Sequence, residues 1–460
     1  MQTPEQTGAV ARQLTYTGTL LMALAISMRL SLAQSTPLGL TTLYSFGGGA
    51  DGEVPVAGLV ADQNGTLYGT TSAGGNTNCT GPVAGCGTVF ALAPPATSGG
   101  AWTKTTLYSF LGGTDGANPQ AGLVIGNNGA ALYGVTLNGG GCSYFGGNCG
   151  TVFELAPSAP GGPWIETVLH RFAGGADGLS PQGGLTLGQN GVLYGTTYYG
   201  GSSGQGLGSV YELIPPSAPG GTWTETVLYG FAEPGLGYYP VGTLALGSDH
   251  ALYGVTLYGG SDTQGTVFRL EPPSVSGGTW TESVLHSFLS GADGSRPQAG
   301  VVFAPNGALY GTTLDGGSPS GHGTVFELAP PSGTPAGGAW SESILHVFTV
   351  FHDGVLPYGS VVSGPTGVLY GTTFEGGHTD SACPKGCGTV FSLEPPAASG
   401  GAWTATVLHR FTSQNGDGAN PQSSLVFGAN QVLYGTTDYG GVNPACSPSG
   451  SCGTVFQLMP

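Results

Sequence analysis

Gly184-Leu185-Thr186-Leu187, Val192-Leu193-Tyr194-Gly195-Thr196-Thr197, Gly208-Ser209-Val210-Tyr211-Glu212-Leu213 and Trp223-Thr224-Glu225-Thr226-Val227-Leu228-Tyr229-Gly230-Phe231 are four consecutive runs with strand character. The first two flank Gln189-Asn190-Gly191, and Asn-Gly between β-branched or aromatic runs is the chemistry of a tight hairpin turn. Pro215-Pro216 stops the third run, because proline cannot donate to a ladder. On a two-residue period Trp223, Val227, Tyr229 and Phe231 share a face with Glu225, while Leu228 takes the other.

This unit recurs. Leu-Tyr-Gly begins at Leu67, Leu132, Leu193, Leu252, Leu309, Leu369 and Leu433, a spacing of roughly 60 residues. Four antiparallel strands repeated seven times predict an all-β chain, a seven-bladed β-propeller. The two ends support a closed ring. Residues 41–46 have a fourth-strand sequence with no blade before them, and 453–458 form a third strand with no fourth after it. Pairing the two completes the blade of 423–460 and hides the sheet edges. Trp102, Trp164, Trp223, Trp280, Trp340 and Trp403 mark the six uninterrupted fourth strands.

The expected organisation is a secretory leader over 1–33, a short segment over 34–40 and one propeller over 41–460. In the leader Arg12 is the basic element, Leu20 to Met28 the apolar stretch, and Ser31-Leu32-Ala33 the small residues a signal peptidase needs. A retained anchor is the alternative, but about 12 apolar residues fall short of a membrane span. Removing Glu5, Arg12 and Arg29 with the leader turns the net charge from −17 to −18. Nucleic acid is excluded as a partner, since phosphates demand the opposite sign. The eight cysteines form four local pairs, Cys79/Cys86, Cys142/Cys149, Cys383/Cys387 and Cys446/Cys452, each between the second and third strands of a blade. A leader and an even count predict disulfides; zinc is the alternative.

Candidate binding residues come from two patterns. Asp-Gly followed by proline recurs at Asp51, Asp115, Asp177, Asp293, Asp353 and Asp417, and the fourth blade replaces it with Gly235-Leu236-Gly237. Six carboxylates around one opening would bind cations, Ca2+ among them, or a polyhydroxy ligand; otherwise Asp-Gly is turn chemistry. Tyr144, Tyr199 and Tyr239, with neighbours Tyr198, Tyr238, Tyr258 and Tyr439, fall in loops where aromatics stack sugars or grip proteins. His170, His286, His346 and His409 occupy a slot that holds tyrosine in other blades and read as packing. No nucleophile elbow, dinucleotide or metalloprotease motif survives its required context, so no catalytic residue and no cofactor is assigned.

The composite Asp-Gly-x-x-Pro, Leu-Tyr-Gly-Thr-Thr, Gly-Gly and Gly-Thr-Val-Phe resembles the GloVer tandem repeat of bacterial exported proteins described as "choice-of-anchor", over about residues 41–460. The resemblance implies an extracellular or surface protein without an assigned activity. No transmembrane tail, basic cluster or sorting motif precedes Pro460, so release is expected at least as much as attachment. The expected function is a monomeric binding scaffold for glycan or protein. The alternative is a propeller hydrolase or lyase with a carboxylate–metal site at the channel mouth.

Overall fold

A computed structural model describes residues 39–460 except 80–83, 98, 128, 144–145, 202–205, 219, 276, 319–320, 332–338, 350–352, 399, 429–430 and 443–451. The expected leader, Tyr144 and Cys446 lie outside the described residues. Seven four-stranded antiparallel sheets follow one another, and in six of them the strands pair in sequence order. The third blade is built from Thr186–Leu187, Leu193–Thr197, Ser209–Ile214 and Thr224–Gly230. The seventh draws its outer strand from the other end of the chain, Leu40–Ser45 pairing with Thr454–Leu458 from Leu40 opposite Leu458 to Ser45 opposite Thr454. The chain is a closed seven-bladed propeller.

The core lies between blades. Each outer strand ends in a phenylalanine that meets the third-strand aromatic of the next blade edge to face. The pairs run from Phe46–Phe90 at 5.1 Å, through Phe172–Tyr211 at 5.2 Å, to Phe411–Phe456 at 5.3 Å. Such pairs contribute roughly 0.5–1.5 kcal/mol each beyond their buried area. A second seam joins the tryptophan before or at the outer strand to the Leu-Tyr-Gly tyrosine of the preceding blade. Trp164 packs on Tyr68 at 6.2 Å, and Trp102 on Tyr434 at 5.9 Å across the closure. Tyr370, next to the seventh blade, whose outer strand carries no tryptophan, meets Phe427 at 5.6 Å.

Tyr211 stands where the other six blades carry phenylalanine, and its hydroxyl is buried without a hydrogen-bond partner among the described residues. Leaving such a group unsatisfied costs about 1–3 kcal/mol. Replacing Tyr211 by Phe is therefore expected to stabilise the fold by about 1 kcal/mol or more, read as a raised denaturant midpoint at unchanged m-value.

The outer strands depart from regular alternation. Val210 pairs with Tyr229 but Tyr211 pairs with Val227, which leaves Leu228 bulged out. Val210 and Tyr211 point to opposite faces, so Val227 and Tyr229 do too, contrary to the two-residue period read from the sequence. The same shift occurs at Leu43, Leu107, Leu169, Leu285, Leu345 and Leu408. Each bulge turns the tyrosine or histidine toward the next blade, while the residue four places earlier faces the previous one.

Three disulfides are formed, Cys79–Cys86, Cys142–Cys149 and Cys383–Cys387. Cys452 is also disulfide-bonded. Each closes a short loop, which in the chain-entropy account is worth about 2–3 kcal/mol. On the ring axis, residues just past the recurring proline of all seven blades, including Gln120, Gln182, Gln298 and Gln422, line a cavity of about 740 Å³. No helix among the described residues is long and apolar enough to cross a membrane.

Candidate functional site

Each recurring aspartate sits at the start of a blade-to-blade loop and closes its own turn. Asp51 accepts from the Gly47 amide at 2.6 Å, Asp115 from Leu111 at 2.6 Å and Asp293 from Leu289 at 2.6 Å. Asp353 accepts from Thr349 at 2.8 Å, Asp417 from Thr412 at 3.0 Å, and Asp177 from Ala173. The glycine that follows is dictated by space. A Cβ on Gly116 (φ +108°) would lie 2.6 Å from the Thr136 hydroxyl oxygen, in a conformation L-residues rarely adopt. Beneath it, Thr136 and Thr151 share a buried hydrogen bond of 2.8 Å, an arrangement found in every blade.

The bulged strands supply the aspartates' other partners. Tyr44 donates to Asp51 at 2.9 Å and Tyr108 to Asp115 at 2.8 Å. His170, His286, His346 and His409 place Nε2 at 3.0, 3.3, 2.5 and 3.1 Å from Asp177, Asp293, Asp353 and Asp417. The histidine slot is thus a polar junction between blades. From the far side the next outer strand presents Lys104, Glu166, Glu225, Glu282 or Glu342. Lys104 bonds Asp51 Oδ1 at 2.7 Å. The glutamates titrate high: Glu166 and Glu342 are pushed up to about 8, by burial first and then by the neighbouring Asp115 and Asp293. Glu225 is pushed up to about 7 by burial and Asp177, and Glu282 to about 7 by burial. The six aspartates are not brought together. They are spread over six blade junctions among outer strands, and none is among the residues lining the axial cavity.

A different set gathers where the second strands end and the loops reach the proline. At the third and fourth blades, Tyr198 stacks on Tyr239 (4.6 Å, 16°) and Tyr238 on Tyr258 (5.7 Å, 27°). Tyr199 closes the group edge-on to Tyr198 and Tyr239 at 4.7 and 5.2 Å, and remains 37% exposed. Two of the three tyrosines singled out from sequence therefore meet. Burial and the surrounding tyrosines push the Tyr198 hydroxyl up to about 12. The absence of Asp-Gly here accompanies a longer ladder: the fourth blade's inner strand is Tyr238–Leu246, against two residues in the others.

The same positions in later blades carry polar groups that sequence reading missed. Arg296 pairs with Asp315. Tyr358, in the wall of the axial cavity, packs edge-on against Phe374 at 5.3 Å. Asp438 is fully buried and accepts from Gln422, another cavity-lining residue, while its Oδ1 has no partner among the described residues. Burial raises its carboxyl well above the usual range, against the lowering effect of the Gln422 hydrogen bond. A superposition of the seven repeats would have exposed these positions, since residues after Thr-Thr and before the proline vary while their flanks do not.

Candidate carboxylate–histidine clusters are present: His170, Asp177 and Glu225, and likewise His286, Asp293 and Glu342, hold their ligand atoms within 4.8 Å of one another.

The sequence model of the Gloeobacter/Verrucomicrobia repeat matches residues 28–207 and 146–336. No curated protein matches the sequence. Among solved structures, a fungal alcohol oxidase with bound copper aligns at 14% identity and TM-score 0.52, over 92% of this chain and 76% of its own. PorZ, a surface component of the type-IX secretion system of Porphyromonas gingivalis, aligns at 14% identity and TM-score 0.49, over 90% of this chain. The chain spans 47% of PorZ. The periplasmic gluconolactonase of Pseudomonas aeruginosa aligns at 16% identity and TM-score 0.47, over 81% and 92%. At these identities the likeness is one of fold.

Proposed function

The chain belongs to the Gloeobacter/Verrucomicrobia repeat family, and from that premise we propose that it is an exported monomeric propeller that binds a neutral glycan on one rim. The observation that carries this reading is the tyrosine cluster of the third and fourth blades. Tyrosine offers a flat apolar face for the C–H side of a sugar ring and a hydroxyl for its polar edge, at little conformational cost. The fourth blade departs from the repeat there, replacing Asp-Gly and lengthening its inner strand to Tyr238–Leu246, which sets the cluster apart from scaffold. A net charge of −17 disfavours acidic polysaccharides.

A glycan array should give a ligand, and Tyr199→Ala with Tyr239→Ala should weaken it roughly 30-fold or more, the range of interface hot spots. No ligand at millimolar concentration, or unchanged affinity in that variant, would sink the reading.

The second reading, a hydrolase or lyase working at the channel mouth, is favoured by Asp438. Burial raises its carboxyl, the direction that suits a proton donor in glycoside cleavage, and it accepts a hydrogen bond from the cavity-lining Gln422. The same array glycans then appear cleaved after incubation, and Asp438→Asn abolishes cleavage.

A further inference from the structure

The blade junctions differ in one slot, and the differences follow charge. At the junction of the seventh and first blades the slot holds Lys104, whose side chain is 4% exposed. Its ammonium touches Asp51 Oδ1 at 2.7 Å, the Asp51 carbonyl oxygen at 2.6 Å and Thr106 Oγ1 at 2.7 Å. The space between an Asp-Gly aspartate and the next outer strand is therefore shaped for a cation. At the next four junctions the slot holds glutamate. Two of these junctions also carry a histidine, one has Tyr108 in its place, and one lacks the aspartate altogether.

We propose that the His170–Asp177–Glu225 and His286–Asp293–Glu342 junctions are divalent metal sites that clamp neighbouring blades, each occupying the place the Lys104 ammonium fills in the first. In each, the histidine comes from the outer strand of one blade, the aspartate from the connecting loop and the glutamate from the outer strand of the next, so one ion ties three segments. The ligand atoms already lie within 4.8 Å of one another. Glu225 Oε1, Glu342 Oε1 and His286 Nε2 are buried and have no hydrogen-bond partner among the described residues, His286 Nε2 making only the 3.3 Å ion-pair contact with Asp293. One imidazole nitrogen and two carboxylates suit zinc or manganese better than calcium, which prefers an all-oxygen shell. Three protein ligands leave the remaining positions to water.

The stoichiometry is specific to this arrangement. The Tyr108–Asp115–Glu166 junction lacks the imidazole and has Arg171 near its glutamate. The Glu282 junction lacks the aspartate, and Ala405 supplies no ligand beside His346 and Asp353. Two such sites per chain follow among the described residues.

The full chain, stripped with EDTA and dialysed into chelator-free buffer at pH 7.5, is titrated calorimetrically with ZnCl2, MnCl2 and CaCl2. Two equivalent sites per chain are expected for zinc or manganese and none of comparable affinity for calcium. Glu225→Gln should remove one site and Glu342→Gln the other, while Glu166→Gln leaves both. Near-UV circular dichroism verifies that each variant is folded, and Asp177→Asn gives a second route to the first site. At a hundredfold excess over Kd the wild type should gain about 5 °C in Tm. Absence of binding at millimolar zinc and manganese overturns the proposal, as does binding that survives in the Glu225→Gln/Glu342→Gln double variant.

Discussion

A chain that begins after Phe46 will fail to close the ring and will aggregate, while a chain that begins at Gly39 will fold as a soluble monomer. The segment Leu40–Ser45 supplies the fourth strand of the seventh blade, and without it Thr454–Leu458 is an exposed edge. An unpaired edge bearing Val455 and Phe456 is a template for pairing with other chains. The same deletion removes Phe46, whose amide bonds the Gly453 carbonyl at 3.1 Å and whose ring packs on Phe90. It also removes the Thr42 hydroxyl bond to Gly416 at 2.9 Å. A single truncation, Phe46→Ala, isolates the packing part and should cost about 3–5 kcal/mol, the usual range for a fully buried phenylalanine. Size-exclusion chromatography and thermal unfolding decide the matter. A monodisperse, cooperatively unfolding chain lacking 39–46 would show that the closure is dispensable.

Stability in EDTA will peak near pH 5 and decline steadily toward pH 8. Glu166, Glu225, Glu282 and Glu342 hold their protons in the folded state up to about 8, 7, 7 and 8, against about 4.5 in an unfolded chain. Between those limits the folded state binds more protons than the unfolded one, so unfolding free energy falls as pH rises. The contribution is fully present below the unfolded value and lost above the folded one. Groups facing these carboxyls are Asp115 and Arg171 at Glu166, Asp177, His170 and Glu212 at Glu225, and Asp293 at Glu342. Asp438, raised by burial, acts in the same direction. Asp353 acts in the opposite one. Burial would raise its carboxyl, but the His346 hydrogen bond overrides this and holds it below the normal value, so its contribution is lost only in stronger acid. Replacing all four glutamates by glutamine should flatten the slope of Tm against pH above 5. A slope unchanged in that variant would show that the junction carboxyls are not its source.

The repeat was legible because its signals are local. Strand period, Asn-Gly turns and proline stops act over a few residues, and seven copies remove the ambiguity of any one. Even the closure followed from local reading, since a fourth-strand sequence at one end answers its absence at the other. The bulge at Leu228 and its six equivalents was not legible, because it depends on register against a partner strand rather than on the outer strand's own pattern. The meaning of the recurring histidines was lost with it. Read as a regular strand, they share a face with the glutamates; with the bulge, each turns toward an aspartate in the next loop.

The sequence by itself determined the blade, the number of blades and the ring, because each is the sum of short-range preferences. Only the tertiary structure decided which chemistry meets where. His170 and Asp177 are seven residues apart, but Glu225 joins them from the next blade, and Lys104 reaches Asp51 across 53 residues. Packing one blade on its neighbour makes these junctions, and it also draws Tyr198 and Tyr199 onto Tyr238, Tyr239 and Tyr258. A repeat repeats its own contacts; contacts between repeats depend on pairs of side chains in different copies, and it is there that the copies differ.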